Sequence, residues 1–367
     1  MTRSVAQLIM AITIIISAVS CNKEIDFGFK DLCFYHPHTA PVQVNVDWSK
    51  FKHIENPTGM TAYAWPENQD ETMSKFITHN LSNITLDLKA GKFDAFVFNQ
   101  SASEYATLEF YKLDDFHNAE VRVTQTKANW YTTKHSDTKV GTEPEWLAID
   151  SIEDIEVTEQ MVLDAEAEYL ASMKGARGAL TKNIVATLVP KSIIKSIDIY
   201  IHIDNIIYLN SALGALEHMA EGCYISSKKT TANHVTHAID SWGLIYDKDE
   251  NGVENKMKGV IKATITTFGN PSTHQGLGED NNLLVRLLLI DNKTILEMNF
   301  PVGDQLANLN DYNGTQLDAN GAPIWPEIHV YWPEPLPEVK SVGGDDGGFN
   351  VGIGDWGEDI ITILPLL

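Results

Sequence analysis

Period-two alternation of apolar residues, repeated from about residue 41 to 338, constrains the fold of this chain more than any other feature. Successive side chains of a strand point to opposite faces, so alternation marks a strand with one buried face. SIIKSIDIYIHIDNIIYL sets Ile197, Ile199, Ile201 and Ile203 on one face. NITLDLKAG does the same with Ile84, Leu86 and Leu88. KFDAFVFN puts Phe93, Ala95, Val97 and Asn99 on one face and Phe96 and Phe98 on the other. VQVNVDW (Val42 to Trp48), TLEFYKL, EVRVTQT, NLLVRLLLI, TILEMNF and PEIHVYW read the same way, each bounded by Gly, Asn, Asp or Pro. Asn251-Gly252 is a hairpin signal. The clearest helical stretch runs from Thr158, a cap, to Gly175, a stop, with Met161, Ala165, Tyr169 and Leu170 able to share a face. An irregular loop with one strand at its start is the alternative for that stretch.

These runs fall into two series of about seven strands each, divided near residues 175 to 185, which predicts an all-β chain of two tandem sandwiches. We place the first domain at residues 41–182 and the second at 183–338. Residues 339–367 change character. Proline-rich WPEPLPEVK leads into the flexible acidic SVGGDDGG, and FNVGIGDWGEDIITILPLL then returns to apolar alternation. Such a segment must dock on its own domain or on a partner, because an apolar strand in solvent invites edge pairing.

The amino terminus reads differently. Arg3 precedes an apolar run from about Leu8 to Val19, and the small residues Ala18 and Ser20 lead to Cys21. This is the layout of a secretory signal peptide, residues 1–20, and the run is short for a span of roughly 20 residues. A Cys directly after a small residue resembles a bacterial lipobox. In that reading Cys21 becomes the first residue of the mature chain and carries lipid that anchors it to a membrane. An ordinary signal peptide that happens to pass a Cys is the alternative. Residues 21–40 read as a charged tether. Glu24 and Asp26 resemble the export tag that sends some Bacteroides-type lipoproteins to the outer face of the outer membrane, although a solvated tether explains them as well.

Composition narrows the partners. The 367 residues carry a net charge of -23, which opposes binding to a phosphate backbone or to anionic lipid, so nucleic acid is not an expected partner. Besides Cys21 there are Cys33 and Cys223, too few and too far apart for a disulfide framework; buried inert thiols are expected.

Several motifs invite chemistry and do not reach it. DKDENG, Asp247 to Gly252, matches the first half of an EF-hand loop, but the twelfth position is Lys258, so an acidic hairpin turn is expected. His36 and His38, and His234 with His237, lack a third metal ligand at suitable spacing and read as surface histidines. No catalytic motif stands out, so no catalytic residue, metal ligand or cofactor is assigned and an enzyme is not expected. Trp48, Trp65, Trp130 and Trp146 either line a glycan-binding face or belong to sandwich core and rim.

The chain resembles the FimB/Mfa-like fimbrillin-associated anchor and accessory lipoproteins of Bacteroides-type bacteria. The resembling pieces are the lipobox, VQVNVDWSKF, PTGMTAYAWPE, NITLDLKAGKFDAFVFNQS (Phe93 standing for the family's Tyr), GALEHMAEGCYIS with its "G-M-A-x-G" edge, and LLVRLLLIDNKTILEMNFPVGDQL, where Gly303 replaces the Thr of a "V-T-D-Q" motif. The resemblance implies two transthyretin-like Greek-key sandwiches and a surface-exposed, lipid-anchored outer-membrane protein that engages fimbrial subunits in pilus assembly and adhesion. Strand addition is the recognition mode such a role suggests. A surface glycan-binding lipoprotein serving nutrient uptake is the competing reading, and a hydrolase a third. Burial of the four Trp residues separates the first two.

Overall fold

A computed structural model of the chain describes residues 38–51, 57–68, 72–135, 138–173, 183–273, 281–312, 316–341 and the backbone of 361–363. Strands dominate it, so the chain is all-β. The amino-terminal half forms β1 (Ala40–Val46), β2 (Met60–Pro66), β3 (Ser74–Thr78), β4 (Asn83–Leu88), β5 (Gly91–Asn99), β6 (Leu108–Tyr111), β7 (Glu120–Val123), the short helix α1 (Asn129–Thr132), β8 (Val140–Gly141), β9 (Ala148–Val157) and helix α2 (Glu159–Met173). The second half adds β10 (Asn183–Leu188), β11 (Lys191–Ser192), β12 (Lys195–Asp204), β13 (Leu209–Ala220), β14 (Gly222–Tyr224), β15 (His234–Ile239), β16 (Gly243–Lys248), β17 (Glu254–Thr267), β18 (Asn282–Leu289), β19 (Ile295–Pro301), helix α3 (Gly303–Leu306), β20 (Glu327–Tyr331) and β21 (Ile361–Ile363).

Five sheets result, with strand orders β10-β1-β4, β11-β9-β5-β2-β3, β14-β7-β6, β16-β17-β12-β20 and β21-β19-β18-β13-β15-β8. Burial follows the alternation. Ile84, Leu86 and Leu88 close one core together with Phe93, Ala95 and Val97. Phe96 and Phe98, on the opposite face of β5, belong to a second core with Tyr63, Trp65 and Val121. The five-stranded sheet is therefore the middle of three layers, which explains why KFDAFVFN is apolar on both faces. Ile197, Ile199, Ile201 and Ile203 face Leu283, Val285, Leu287 and Leu289 in a third core between the four-stranded and six-stranded sheets.

Helix α2 begins where the sequence predicts: the Thr158 hydroxyl accepts the Met161 N–H at 3.2 Å. Met161, Val162 and Ala165 pack on the first core. Its expected stop, Gly175, lies outside the described residues. The run from Val42 to Trp48 stops being strand at Val46. There the Asp47 carboxylate accepts the Ser49 N–H and opens a short turn over Trp48–Lys50.

Pairing crosses the expected division at 182/183. Strand β10 runs parallel to β1, with Val44 opposite Ala186, and β11 pairs with β9. Strand β14 pairs with β7, placing Cys223 opposite Val121, and β8 lies parallel to β15. Ala220, Cys223, Ile225, Val235 and Phe268 accordingly belong to the same core as Phe96. Gly222 makes one of these crossings possible. A Cβ there would stand 2.3 Å from the Val121 carbonyl oxygen, so only glycine lets β14 approach β7 this closely.

Candidate functional site

The outer edge of β19 carries a strand from the chain's own tail, β21. A hairpin brings β19 back along β18, in register from Asn282 opposite Pro301 to Leu288 opposite Ile295. Its turn is built by Asp291. The carboxylate accepts the Lys293 and Thr294 N–H groups at 3.1 and 2.9 Å and the Thr294 hydroxyl at 2.6 Å. Partial burial opposes ionisation of Asp291, yet these bonds hold its carboxyl below the usual carboxylate range. Asn292, at φ 54°, supplies the left-handed residue of the turn.

Ile295 and Leu296 anchor β19, each 4 % exposed. Met298 and Phe300 pack against the same core further along. Glu297 receives the Lys134 ammonium at 3.0 Å and approaches Arg286 at 3.9 Å, tying the middle of the strand to the segment after α1 and to β18. On its free side β19 pairs in parallel with β21: Ile295 opposite Ile361, Leu296 opposite Thr362, Glu297 opposite Ile363. Among the described residues, three of the seven β19 positions pair with β21. The apolar tail segment thus pairs with the second half's own sheet.

A different device closes the edge of the four-stranded sheet at β20. The Gln305 side chain accepts the His329 N–H at 2.8 Å and donates to the His329 carbonyl at 3.1 Å. One amide side chain replaces a neighbouring strand there. Sequence reading placed Gln305 in the family-like Val302–Leu306 segment and missed this role, since Gln305 and His329 are 24 residues apart.

The other sequence candidates distribute as follows. Cys21, Cys33 and His36 lie outside the described residues. His38 is exposed beside Glu166 at 3.3 Å. His234 is exposed and stacks on His218. His237 corrects the reading as a surface histidine: it is fully buried. Strand β15 is covered on both faces, with Val235, Thr236 and His237 all inside. Burial pushes the His237 imidazole down to about 4, against a smaller opposing effect of the backbone at Gly141 and Thr142. Cys223 is buried, and burial pushes its thiol up to about 12, consistent with an inert core thiol.

The Asp247–Gly252 segment is a hairpin turn. Asp249 accepts the Asn251 and Val253 N–H groups, both at 2.8 Å, which occupies its carboxylate with the backbone. Among the described residues no group of three or more His, Cys, Asp or Glu side chains is placed to hold a metal ion. Trp65 is core, 6 % exposed, and donates to the Leu113 carbonyl at 2.9 Å. Trp48, Trp130 and Trp146 are half-buried. Trp48 donates to Leu81, Trp130 packs edge-on to Tyr131, and Trp146 packs against Trp325. The four do not share one exposed platform.

Comparison with solved structures supports the fold. A candidate adhesin of Bacteroides ovatus is similar at 12% identity and TM-score 0.51, over 81% of this chain and 94% of that one. The fimbrial anchor protein Mfa2 of Porphyromonas gingivalis is similar at 10% identity and TM-score 0.40, over 80% of this chain and 90% of that one. A fimbrial assembly protein of Parabacteroides distasonis is similar at 8% identity and TM-score 0.32, over 73% and 87%. No curated protein matches. The model of a domain of unknown function, DUF5119, matches residues 21–240, and the chain belongs to that family.

Proposed function

We propose that this chain is a fimbrial anchor or accessory subunit, held to the outer membrane by lipid on Cys21 and binding pilus subunits by strand addition at the β19 edge. The observation that carries the reading is the parallel pairing of β21 on the outer edge of β19. Main-chain hydrogen bonds at such an edge supply affinity, and alternate side chains supply specificity. The family match begins at Cys21, which supports a mature chain starting there. We further propose that the molecule works as two sandwich units joined through the core that holds Phe96 and Cys223. The reading is one of binding without catalysis. Because Trp48, Trp65, Trp130 and Trp146 do not share one exposed platform, the glycan-binding alternative has less support.

The test is deletion of residues 343–367. Docking of the tail on its own sheet predicts a lower Tm for the isolated protein and stronger capture of an added pilus subunit, because the edge is open. Donation of the tail to a neighbour predicts an unchanged Tm and lost co-assembly. A deletion that alters neither refutes strand addition through this segment.

A further inference from the structure

The outer face of the four-stranded sheet carries an ordered cluster that strand pairing does not use. Strand β12 runs parallel to β20, with Tyr200 opposite His329 and His202 opposite Tyr331. The intervening Ile199, Ile201, Ile328 and Val330 are buried, so the four rings stand together on the solvent side. Tyr200 stacks on His329 at 4.7 Å and 5°, and His202 stacks on Tyr331 at 4.4 Å and 13°. Because the rings cover one another's faces, they make a poor stacking surface for a sugar. They do hold two imidazoles in a fixed relation: His202 Nε2 lies 3.2 Å from His329 Nδ1.

That separation has a chemical meaning. Two metal–imidazole bonds of about 2.0–2.1 Å, meeting at about 90–109°, place their nitrogens about 2.9–3.4 Å apart. The second nitrogen of His329, Nε2, faces the Glu327 carboxylate at 3.1 Å. A carboxylate in that position accepts the ring N–H and leaves Nδ1 as the lone-pair nitrogen, the outer arrangement usual for metal-bound histidine.

We propose that His202 and His329 form a two-imidazole site for a late first-row divalent cation, Zn2+ or Cu2+, with Glu327 orienting His329. The ion takes the place of the proton shared between the rings, and a rotation about the broad χ2 torsions turns both lone pairs toward it. Its other positions are filled by water or by a donor from a bound partner. Imidazole donors suit these ions better than Mg2+ or Ca2+. The surroundings favour the charge. Asp247 acts on His202 from β16, and the whole chain carries -23. Asp198 is taken by Lys262 at 2.8 Å and Asp204 by Lys258 at 3.5 Å, so neither is offered as a ligand.

The experiment is calorimetric titration of the full chain with Zn2+, with the His202→Ala, His329→Ala and Glu327→Gln variants alongside. One equivalent should bind. Either alanine variant should weaken binding at least tenfold, and Glu327→Gln about tenfold, the effect typical of losing an outer-shell carboxylate. A readout that needs no variant is NMR with substoichiometric Cu2+, which should broaden the ring C–H signals of His202 and His329 before those of other histidines. Absence of binding overturns the site. So does wild-type affinity in both alanine variants, which would put the ion elsewhere, as at His36 and His38.

Discussion

Replacing His237 should make the protein less sensitive to mild acid, and the size of the change follows from burial. His237 lies where β8 of the amino-terminal half runs along β15, opposite Gly141. Its imidazole titrates near 4 in the folded chain, against an ordinary value of 6.5. The unfolded chain therefore binds the proton first as pH falls. Stability from this group is intact above about pH 6.5, declines through the window between the two values, and is fully lost below about 4. At 1.36 kcal/mol per unit, a gap of about 2.5 units is worth about 3 kcal/mol in total, of which about 2.5 kcal/mol is lost by pH 4.5. The assay is urea unfolding of wild type and His237→Gln at pH 7.5 and pH 4.5. Other titrating groups are common to both proteins and cancel in the double difference. His237→Gln is expected to cost stability at pH 7.5 and to recover about 2.5 kcal/mol relative to wild type at pH 4.5. A double difference under about 0.5 kcal/mol would refute the reasoning, as would an NMR titration placing His237 near the ordinary histidine value.

Three further outcomes are expected. Cys21→Ala should move the protein from the membrane pellet to the soluble fraction, because the full chain's net charge of -23 gives it no electrostatic hold on anionic lipid; unchanged pelleting would end the lipid-anchor proposal. Gly222→Ala should destabilise by about 1–3 kcal/mol in chemical denaturation, since its Cβ meets the β7 backbone at the Val121 carbonyl. Gln305→Ala removes both edge bonds to His329 and should cost about 1 kcal/mol. It should also introduce concentration-dependent association in size-exclusion chromatography, and a monomer of unchanged stability would show that the edge needs no cover.

Local pattern made the strands legible and left their partners hidden. The alternation at Ile197–Ile203 and at Ile84–Leu88 names the buried face because one side of each strand meets solvent or a thinner layer. The two-faced run at Phe93–Phe98 similarly announces a middle layer. Nothing local in NIVATL says that β10 runs parallel to β1, or that the two-residue β8 adds to a sheet of the second half. Those pairings depend on where the chain returns after long connections. His237 was read as a surface histidine for want of a third metal ligand, and nothing local shows that β15 is covered on both faces. The His202–His329 pair was invisible because its members are 127 residues apart in sequence and meet only through parallel register.

The two sheets of the second half guard their edges by unlike means, and the difference bears on what the molecule does. At β20 the cover is the Gln305 side chain, which bonds both main-chain groups of one residue. A strand arriving there would have to expel that amide, and α3 holds it in place. At β19 the described cover is a backbone segment of three residues, Ile361–Ile363. A partner's strand could replace those three residues on an edge where Met298 and Phe300 already lie against the core. An edge that only needed protection would be served by either device. The backbone cover sits beside an apolar floor, which is what the proposed strand addition calls for.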